Sequence, residues 1–243
     1  TPCPLVDSAG HIFAVLIGRP RDHSFIADCQ RMYNEMAFKL KGFDFKEEDC
    51  SHRRSAFPAL PVGISYGNGQ MQPSRLSVGE SGAQVAGLSH LLQSRAVQHI
   101  TSFGDSTFCL WAPRLYNHYK DHIDRMHQAL PHLSKNFPRS VFPCTTFNFR
   151  PKVQTFRHRD TLNLTYSWCS ITALGNFDST KGSHLVLWDA GLIVEFLPFS
   201  IILIPLSTIL HSNILVCQGE ERGSFTQYCT GGIFWWVDNG CRA

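Results

Sequence analysis

The sequence predicts an α+β fold, in which short strands forming a sandwich or jelly roll are buttressed by helices that precede them. Two observations carry this. Up to about residue 135, apolar residues recur at intervals of three and four, the period of a helix face. From Ser140 onward the pattern changes to strand-length apolar or alternating runs separated by turn signals such as Gly175-Asn176 and Asp189-Ala190-Gly191. About eight such runs at this spacing match a sandwich or jelly roll.

Composition sets the outer bounds. The 243 residues suffice for one large domain with a substantial core. No linker, repeat or low-complexity segment interrupts them, so residues 1–243 read as one domain. Its parts are a helix-rich 1–140 and a strand-rich 141–243. No uninterrupted apolar run reaches the roughly 18 residues of a membrane span. Phe196 to Leu210 comes closest, but Pro198 and Pro205 cut it. No signal peptide is visible at the start, where Thr1 stands without a methionine. The nine cysteines are scattered with no C-x-x-C pair, which argues against structural zinc and for free thiols. Net charge is +3 but uneven: residues 1–160 hold 19 Lys+Arg against 13 Asp+Glu, whereas 161–243 hold 3 against 6. A basic first part is compatible with a polyanionic partner.

Taken in order, residues 11–18 read as a buried strand ending at Gly18. Asp22 or Ser24 then caps a helix to about Lys41, with Ile26, Cys29, Met32, Met36 and Leu40 on one face. Residues 43–80 are polar and rich in turns, including Gly67-Asn68-Gly69, and read as a long loop. That loop carries Arg53, Arg54 and Arg75, which are candidates for a phosphate backbone. Residues 81–96 read as a helix with Val85, Leu88, Leu91 and Leu92 inward. Residues 106–135 read as helical in parts, punctuated by Pro113 and Pro131, with Leu115, Tyr119, Ile123, Met126 and Leu130 on one face. The strands then follow: 145–149, the segment around His158, 166–174, 183–188, 192–196, 201–205, 210–214, 224–229 and 233–237.

The chemistry gathers on three of these strands. In Phe156-Arg157-His158-Arg159-Asp160, strand alternation presents the His158 imidazole and the Asp160 carboxylate on one face and turns Arg159 away. A second histidine, His211, follows about fifty residues after Asp160, far enough for the chain to cross several strands and return. Two imidazoles and a carboxylate are the donors of a facial Fe(II) site with three open positions. Arg222 and Ser224 come next and share a strand face, a good receptor for a buried carboxylate. Taken singly, His211 also reads as a core histidine, and Arg222 as a surface arginine beside Glu220 and Glu221. The ordered combination is far more specific than its parts.

The combination resembles the Fe(II)/2-oxoglutarate dioxygenases with a double-stranded β-helix (jelly-roll) fold. Within them it is most similar to the TET/JBP group that oxidises methylated bases in nucleic acid, especially its compact fungal members. The resemblance spans about Thr145 to Val237 and, more loosely, the N-terminal part. It implies that His158, Asp160 and His211 ligate iron, that Arg222 and Ser224 hold the distal carboxylate of 2-oxoglutarate, and that Asn148 helps bind this cosubstrate. It also implies that Asn163 hydrogen-bonds a flipped base and that Tyr228 stacks on it. On the residues alone, those two read equally as a turn asparagine and a core tyrosine. Thr230 stands where many members of the group place a base-contacting histidine, which weakens the case for strict 5-methylcytosine preference. The cysteine-rich zinc module of the animal enzymes is absent.

The implied reaction uses Fe(II) and 2-oxoglutarate to oxidise a methyl group on DNA. It converts 5-methylcytosine to hydroxymethyl, formyl and carboxyl forms, or demethylates N6-methyladenine. The alternative is a 2-oxoglutarate oxygenase acting on a small molecule or a protein side chain. A DNA substrate implies a nuclear protein; a monomer without membrane association is expected.

Overall fold

In the computed structural model the first element is a hairpin, β1 (Cys3–Val6) and β2 (Ile12–Gly18). Its turn is held by Asp7, whose Oδ1 accepts from the backbone of Ala9 and His11 at 2.9 and 2.8 Å. The structure describes residues 1–67, 69–77, 81–149 and 151–242, apart from the side chain of Glu48. Asn68 of the expected Gly67-Asn68-Gly69 turn lies outside the described residues.

Helix α1 (His23–Leu40) starts where the capping signal places it: Asp22 Oδ1 accepts from Ser24 N at 2.8 Å. Its buried face is Phe25, Cys29, Met32, Tyr33, Met36 and Ala37, so the stripe is rotated slightly from the expected one and Ile26 sits at its edge. After the single turn α2 (Glu47–Cys50), β3 (Ala59–Ser65) and β4 (Ser74–Arg75) occupy the segment expected to be a long loop. Pro61 and Gly63 conceal β3 in the sequence. Proline is tolerated because β4 covers only Ile64 and Ser65, leaving the rest of that edge open. Gly63 is required: its φ is +131°, and a Cβ there would lie 2.1 Å from the Pro143 carbonyl oxygen.

Helix α3 (Gly82–Gln93) stops at Ser94, and α4 (Arg95–Trp111) starts at once. The expected helix over 81–96 is therefore two helices, and Val85 is half exposed rather than inward. Helix α5 (Pro113–Ala129) has Pro at N1, a position that needs no N–H, and buries Tyr119, Ile123 and Met126 as expected.

The remaining strands are β5 (Cys144–Asn148), β6 (Thr155–His158), β7 (Cys169–Asn176), β8 (Leu185–Leu187), β9 (Leu192–Val194), β10 (Ile201–Ile204), β11 (His211–Asn213) and β12 (Glu221–Tyr228). The expected last strand over 233–237 is instead helix α6 (Gly231–Asp238). Its run of apolar residues is compatible with either state on sequence, and only the burial separates them. Ile233, Phe234, Trp236 and Val237 face inward while Trp235 is 53% exposed, a helical pattern that a strand cannot produce.

The strands form two antiparallel sheets. The larger has the order β1-β2-β10-β7-β12-β5-β3-β4 and the smaller β6-β11-β8-β9. Alternation along β7 divides two cores: Cys169, Ile171 and Ala173 face the smaller sheet, with Leu185, Leu187, Ile202 and Ile204. Leu174 of β7 and Phe225 of β12 face the helices, with Phe25, Met32, Phe108 and Tyr119. This is the jelly-roll core with helices on one sheet. Burying each such large apolar side chain contributes roughly 1.5–3 kcal/mol. The nine cysteines are all unpaired. Among the described residues, no helix is long and apolar enough to cross a membrane.

Candidate active site

The smaller sheet brings the two histidines together. His158 ends β6, His211 begins β11, and they are direct cross-strand partners. Their ring centroids are 4.2 Å apart. Each imidazole is oriented in the same way: Nδ1–H donates to the carbonyl two residues earlier, Phe156 for His158 (2.7 Å) and Ile209 for His211 (2.9 Å). That leaves both Nε2 atoms as acceptors, the form that binds a metal. Asp160 lies two residues beyond His158, just past the strand end rather than on it, and its Oδ1 is 3.7 Å from His158 Nε2. Its backbone N–H is tied to Leu206 O at 2.9 Å. Arg159 turns away as expected, bonding Thr208 O and Asp189 at 2.9 and 3.0 Å.

One donor atom from each of His158, Asp160 and His211 lies within 4.8 Å of the others. Burial, reinforced by the neighbouring His211, pushes the His158 imidazole down to about 4, and burial also lowers His211. Both rings are therefore neutral at pH 7. Two neutral imidazoles and one carboxylate on one face fit Fe(II) and leave room for further ligands.

The larger sheet supplies the opposite wall. Even-numbered residues of β12 face the jelly-roll interior, so Arg222, Ser224, Thr226 and Tyr228 form a polar row. Thr146 and Asn148 of β5 lie beside it, with Asn148 paired to Ser224 and its Nδ2 donating to Ser224 Oγ at 3.0 Å. Arg222 is only 2% exposed. Its Nη1 donates to Val153 O at 2.8 Å, but its Nε has no acceptor. Burial alone lowers its pKa, to about 10, and no carboxylate among the described residues pairs with it. Asn148 Oδ1 beside it also lacks a partner. A buried guanidinium without an acidic partner is costly, and with the Ser224 hydroxyl on the same strand face it fits an incoming carboxylate.

A cavity of about 280 Å³ opens at the Tyr228 end of this row, lined by Arg53, Arg54, Thr146, Asp160, Asn163 and Tyr228 among others. Asn163 is held by its N–H to Asp160 O at 3.0 Å and by Nδ2 to Cys169 Sγ at 3.3 Å. The Tyr228 hydroxyl lies 3.4 Å from Thr146 Oγ1, and burial raises its pKa. The structure places His158, Asp160 and His211 in one cluster and Arg222, Ser224 and Asn148 in another, and the cavity that Asp160 lines has Asn163 and Tyr228 in its wall.

Sequence reasoning missed how the arginines divide. Arg75 is spent on Ser134, donating to its carbonyl at 2.9 Å and to its hydroxyl, and does not line the cavity. Arg53 donates to Arg159 O at 2.7 Å and approaches Asp160 Oδ1 at 3.8 Å. Arg54 is half-buried, and its positive charge reaches His158, His211 and Tyr228. Among the described residues no group pairs its guanidinium. Thr146 and Thr226 were also missed. Their signal was polar residues at every second position of otherwise apolar strands.

No family model and no curated protein matches the sequence. Among solved structures, the chain is similar to NgTET1 in complex with 5mC DNA, at a TM-score of 0.67 and 16% identity, covering 94% of this chain and 76% of that one. A Pseudomonas putida prolyl-4-hydroxylase matches more loosely, with a TM-score of 0.38 and 10% identity over 83% of this chain and 85% of that one. AviO1 from Streptomyces viridochromogenes scores 0.40 at 10% identity, over 89% of each chain; neither of these two bears on the argument. The chain therefore has the TET-like 2-oxoglutarate-oxygenase fold, a double-stranded β-helix with helices packed on its larger sheet.

Proposed function

We propose that this protein is an Fe(II)/2-oxoglutarate-dependent dioxygenase that oxidises methylated bases in DNA after flipping them from the stack. The substrate methyl is that of 5-methylcytosine, N6-methyladenine or both. Two observations carry the reading: the His158–Asp160–His211 cluster, and the buried Arg222, which has no acidic partner among the described residues. Asp160 of the first and Thr226, on the same strand face as Arg222, line one cavity with Asn163 and Tyr228 in its wall.

In this reading, Nε2 of His158, Nε2 of His211 and the Asp160 carboxylate hold the iron. Arg222 and Ser224 bind the distal carboxylate of 2-oxoglutarate, and Asn148 binds the same molecule. With iron and 2-oxoglutarate bound, dioxygen would be the oxidant: one of its oxygen atoms would turn the methyl C–H into C–OH and the other would enter succinate, with carbon dioxide released. The Tyr228 ring offers a face for stacking and Asn163 an amide for the base edge, the usual grip on a flipped base. The buried rows of β5 and β12 exclude water around the reacting methyl. Arg53 and Arg54 at the cavity, with the basic balance of residues 1–160, meet the phosphate backbone and offset part of the few kcal/mol that flipping costs. Residues 1–243 act as one unit, the helical part supporting the core and facing DNA, in a nuclear protein working as a monomer.

Nucleoside mass spectrometry tests this. The protein is incubated with Fe(II), 2-oxoglutarate and duplexes carrying 5-methylcytosine or N6-methyladenine, with His158→Ala/Asp160→Ala as control. Oxidised cytosine or lost adenine methyl in the wild type alone is the expected result. Unchanged bases with slow succinate formation would keep the oxygenase and redirect the substrate to a small molecule or a protein side chain.

A further inference from the structure

The chain from Asp160 to Asn163 is a tight turn: Asn163 N–H donates to Asp160 O at 3.0 Å, with Thr161 and Leu162 at its tip. Its two ends are the proposed iron ligand and the proposed base contact. The turn is tethered at three points. Asp160 N–H donates to Leu206 O at 2.9 Å, Leu162 O accepts from Gly231 N–H at 3.0 Å, and Leu164 N–H donates to Cys229 O at 3.1 Å. The segments that follow β10 and β12, and the first residue of α6, thus hold its backbone in place.

On that ordered backbone the Leu162 side chain is out of keeping. Turn tips favour Gly, Asn, Asp, Ser and Pro. Leu162 is instead large and apolar, and it is 66% exposed. A single exposed leucine is ordinary on a protein surface. This one is set apart by its place. It borders the cavity proposed for the base and also a neighbouring cavity of about 470 Å³, walled by Tyr66, Thr165 and Gly231 among others. Among the described residues, no other exposed large apolar side chain lines the first cavity. Arg53, the exposed arginine offered to the phosphate backbone, lines that cavity too.

We propose that Leu162 is a wedge that enters the duplex as the methylated base leaves it and fills the vacated place in the stack. The proposal rests on the nucleic-acid reading above. A flipped base stays joined to its sugar, so the gap it leaves lies beside the mouth of the cavity that receives it. Apolar side chains, leucine among them, open and fill base steps because they replace lost stacking without needing hydrogen bonds. The turn is already ordered, so little conformational entropy is lost on insertion. Insertion also fixes register. One four-residue turn spaces the iron ligand, the wedge and the base contact, so the position of the gap sets the position of the methyl.

Turnover by wild type, Leu162→Ala and Leu162→Met is compared on a methylated single strand, on the matching duplex, and on that duplex with a pyrene nucleotide opposite the methylated base. The pyrene fills the gap from the other strand. In Leu162→Ala the ratio of duplex to single-strand kcat/KM should fall about tenfold from the wild-type ratio, because only the duplex needs its stack opened. The pyrene duplex should restore the ratio to within about twofold, and Leu162→Met should keep it. Equal losses on single strand and duplex would place Leu162 against the base itself, and an unchanged ratio would leave it no part in flipping; either overturns the wedge. A second readout needs no turnover. 2-Aminopurine beside the methylated base should brighten when the Mn(II)-loaded protein saturates the duplex, with a rise at least about threefold smaller in Leu162→Ala. Equal rises in the two proteins overturn the proposal. Wild-type turnover confined to the single strand would also overturn it and leave the nucleic-acid reading standing. A wild type that neither oxidises nor brightens any of these DNAs would sink that reading, and the wedge with it. The side chain is mostly exposed, so both variants should keep the wild-type Tm.

Discussion

Arg222 shows most clearly how a residue of the proposed site weighs against the fold. A guanidinium that is 2% exposed with no acidic partner among the described residues destabilises the protein in the absence of an anion. Arg222→Met should therefore leave Tm unchanged or raise it, while 2-oxoglutarate affinity falls about 100-fold, as losing ~3 kcal/mol of charge-assisted bonding implies. Calorimetric Tm and a 2-oxoglutarate titration check both halves; a variant that loses several degrees would show the arginine to be structural. Tyr228→Ala should cost about tenfold in kcat/KM on a methylated duplex, the lower range of one base–aromatic stack. An unchanged kcat/KM would remove Tyr228 from the base site. At this scale the site was largely legible in the sequence. His158, Asp160, His211, Arg222 and Ser224 announce themselves by residue type and order, because the chemistry proposed for each is one that few residue types can do. Arg54 does not, because its meaning is its position beside His158, His211 and Tyr228, which only tertiary structure provides.

At the scale of elements, the strands of the core followed from alternation, and the failures have local causes. α6 was read as a strand because an all-apolar run carries no usable period. β3 was read as loop because Pro61 and Gly63 look like breakers, although one lies on an open edge and the other allows a close backbone approach. The Ser94 break between α3 and α4 had no proline or glycine to mark it. The consequence for β3 can be measured. Gly63→Ala should cost more than about 2 kcal/mol, a fall in Tm of about 5 °C, because the backbone at Pro143 cannot retreat as a flexible side chain would. A variant as stable as wild type would mean that β3 is not held against the Pro143–Cys144 segment as described.

At the scale of the molecule, the smaller sheet carries His158 and His211 and the larger carries Arg222 and Ser224, so the proposed site needs both sheets. The strand order β7-β12-β5 beside β6-β11 could not be derived from periodicity, and the family resemblance supplied only the expectation of a jelly roll. Two properties of the whole protein follow. Activity on duplex DNA should fall with salt, and Arg53→Ala/Arg54→Ala should reduce the steepness of the log–log slope by about two. A flat salt response in the wild type would count against a nucleic-acid substrate. Stability should fall on acidification. Burial holds His52 and His127 below the ordinary imidazole value of about 6.5. Above that pH both are neutral whether the chain is folded or not. As pH drops below it, the unfolded chain takes up protons that the folded chain refuses, so stability is lost progressively. Tm should decline from about pH 6.5 downward, and His52→Gln/His127→Gln should flatten the decline.

The most direct measurement of the central claim is calorimetric titration with Mn(II), a redox-stable substitute for Fe(II), followed by 2-oxoglutarate. The wild type should bind one metal ion, and 2-oxoglutarate should then bind to the loaded protein. His211→Ala should abolish the first step, and Arg222→Met should weaken only the second, by about 100-fold. A wild type that binds no metal, or an Arg222→Met variant that binds 2-oxoglutarate as well as wild type, would contradict the account.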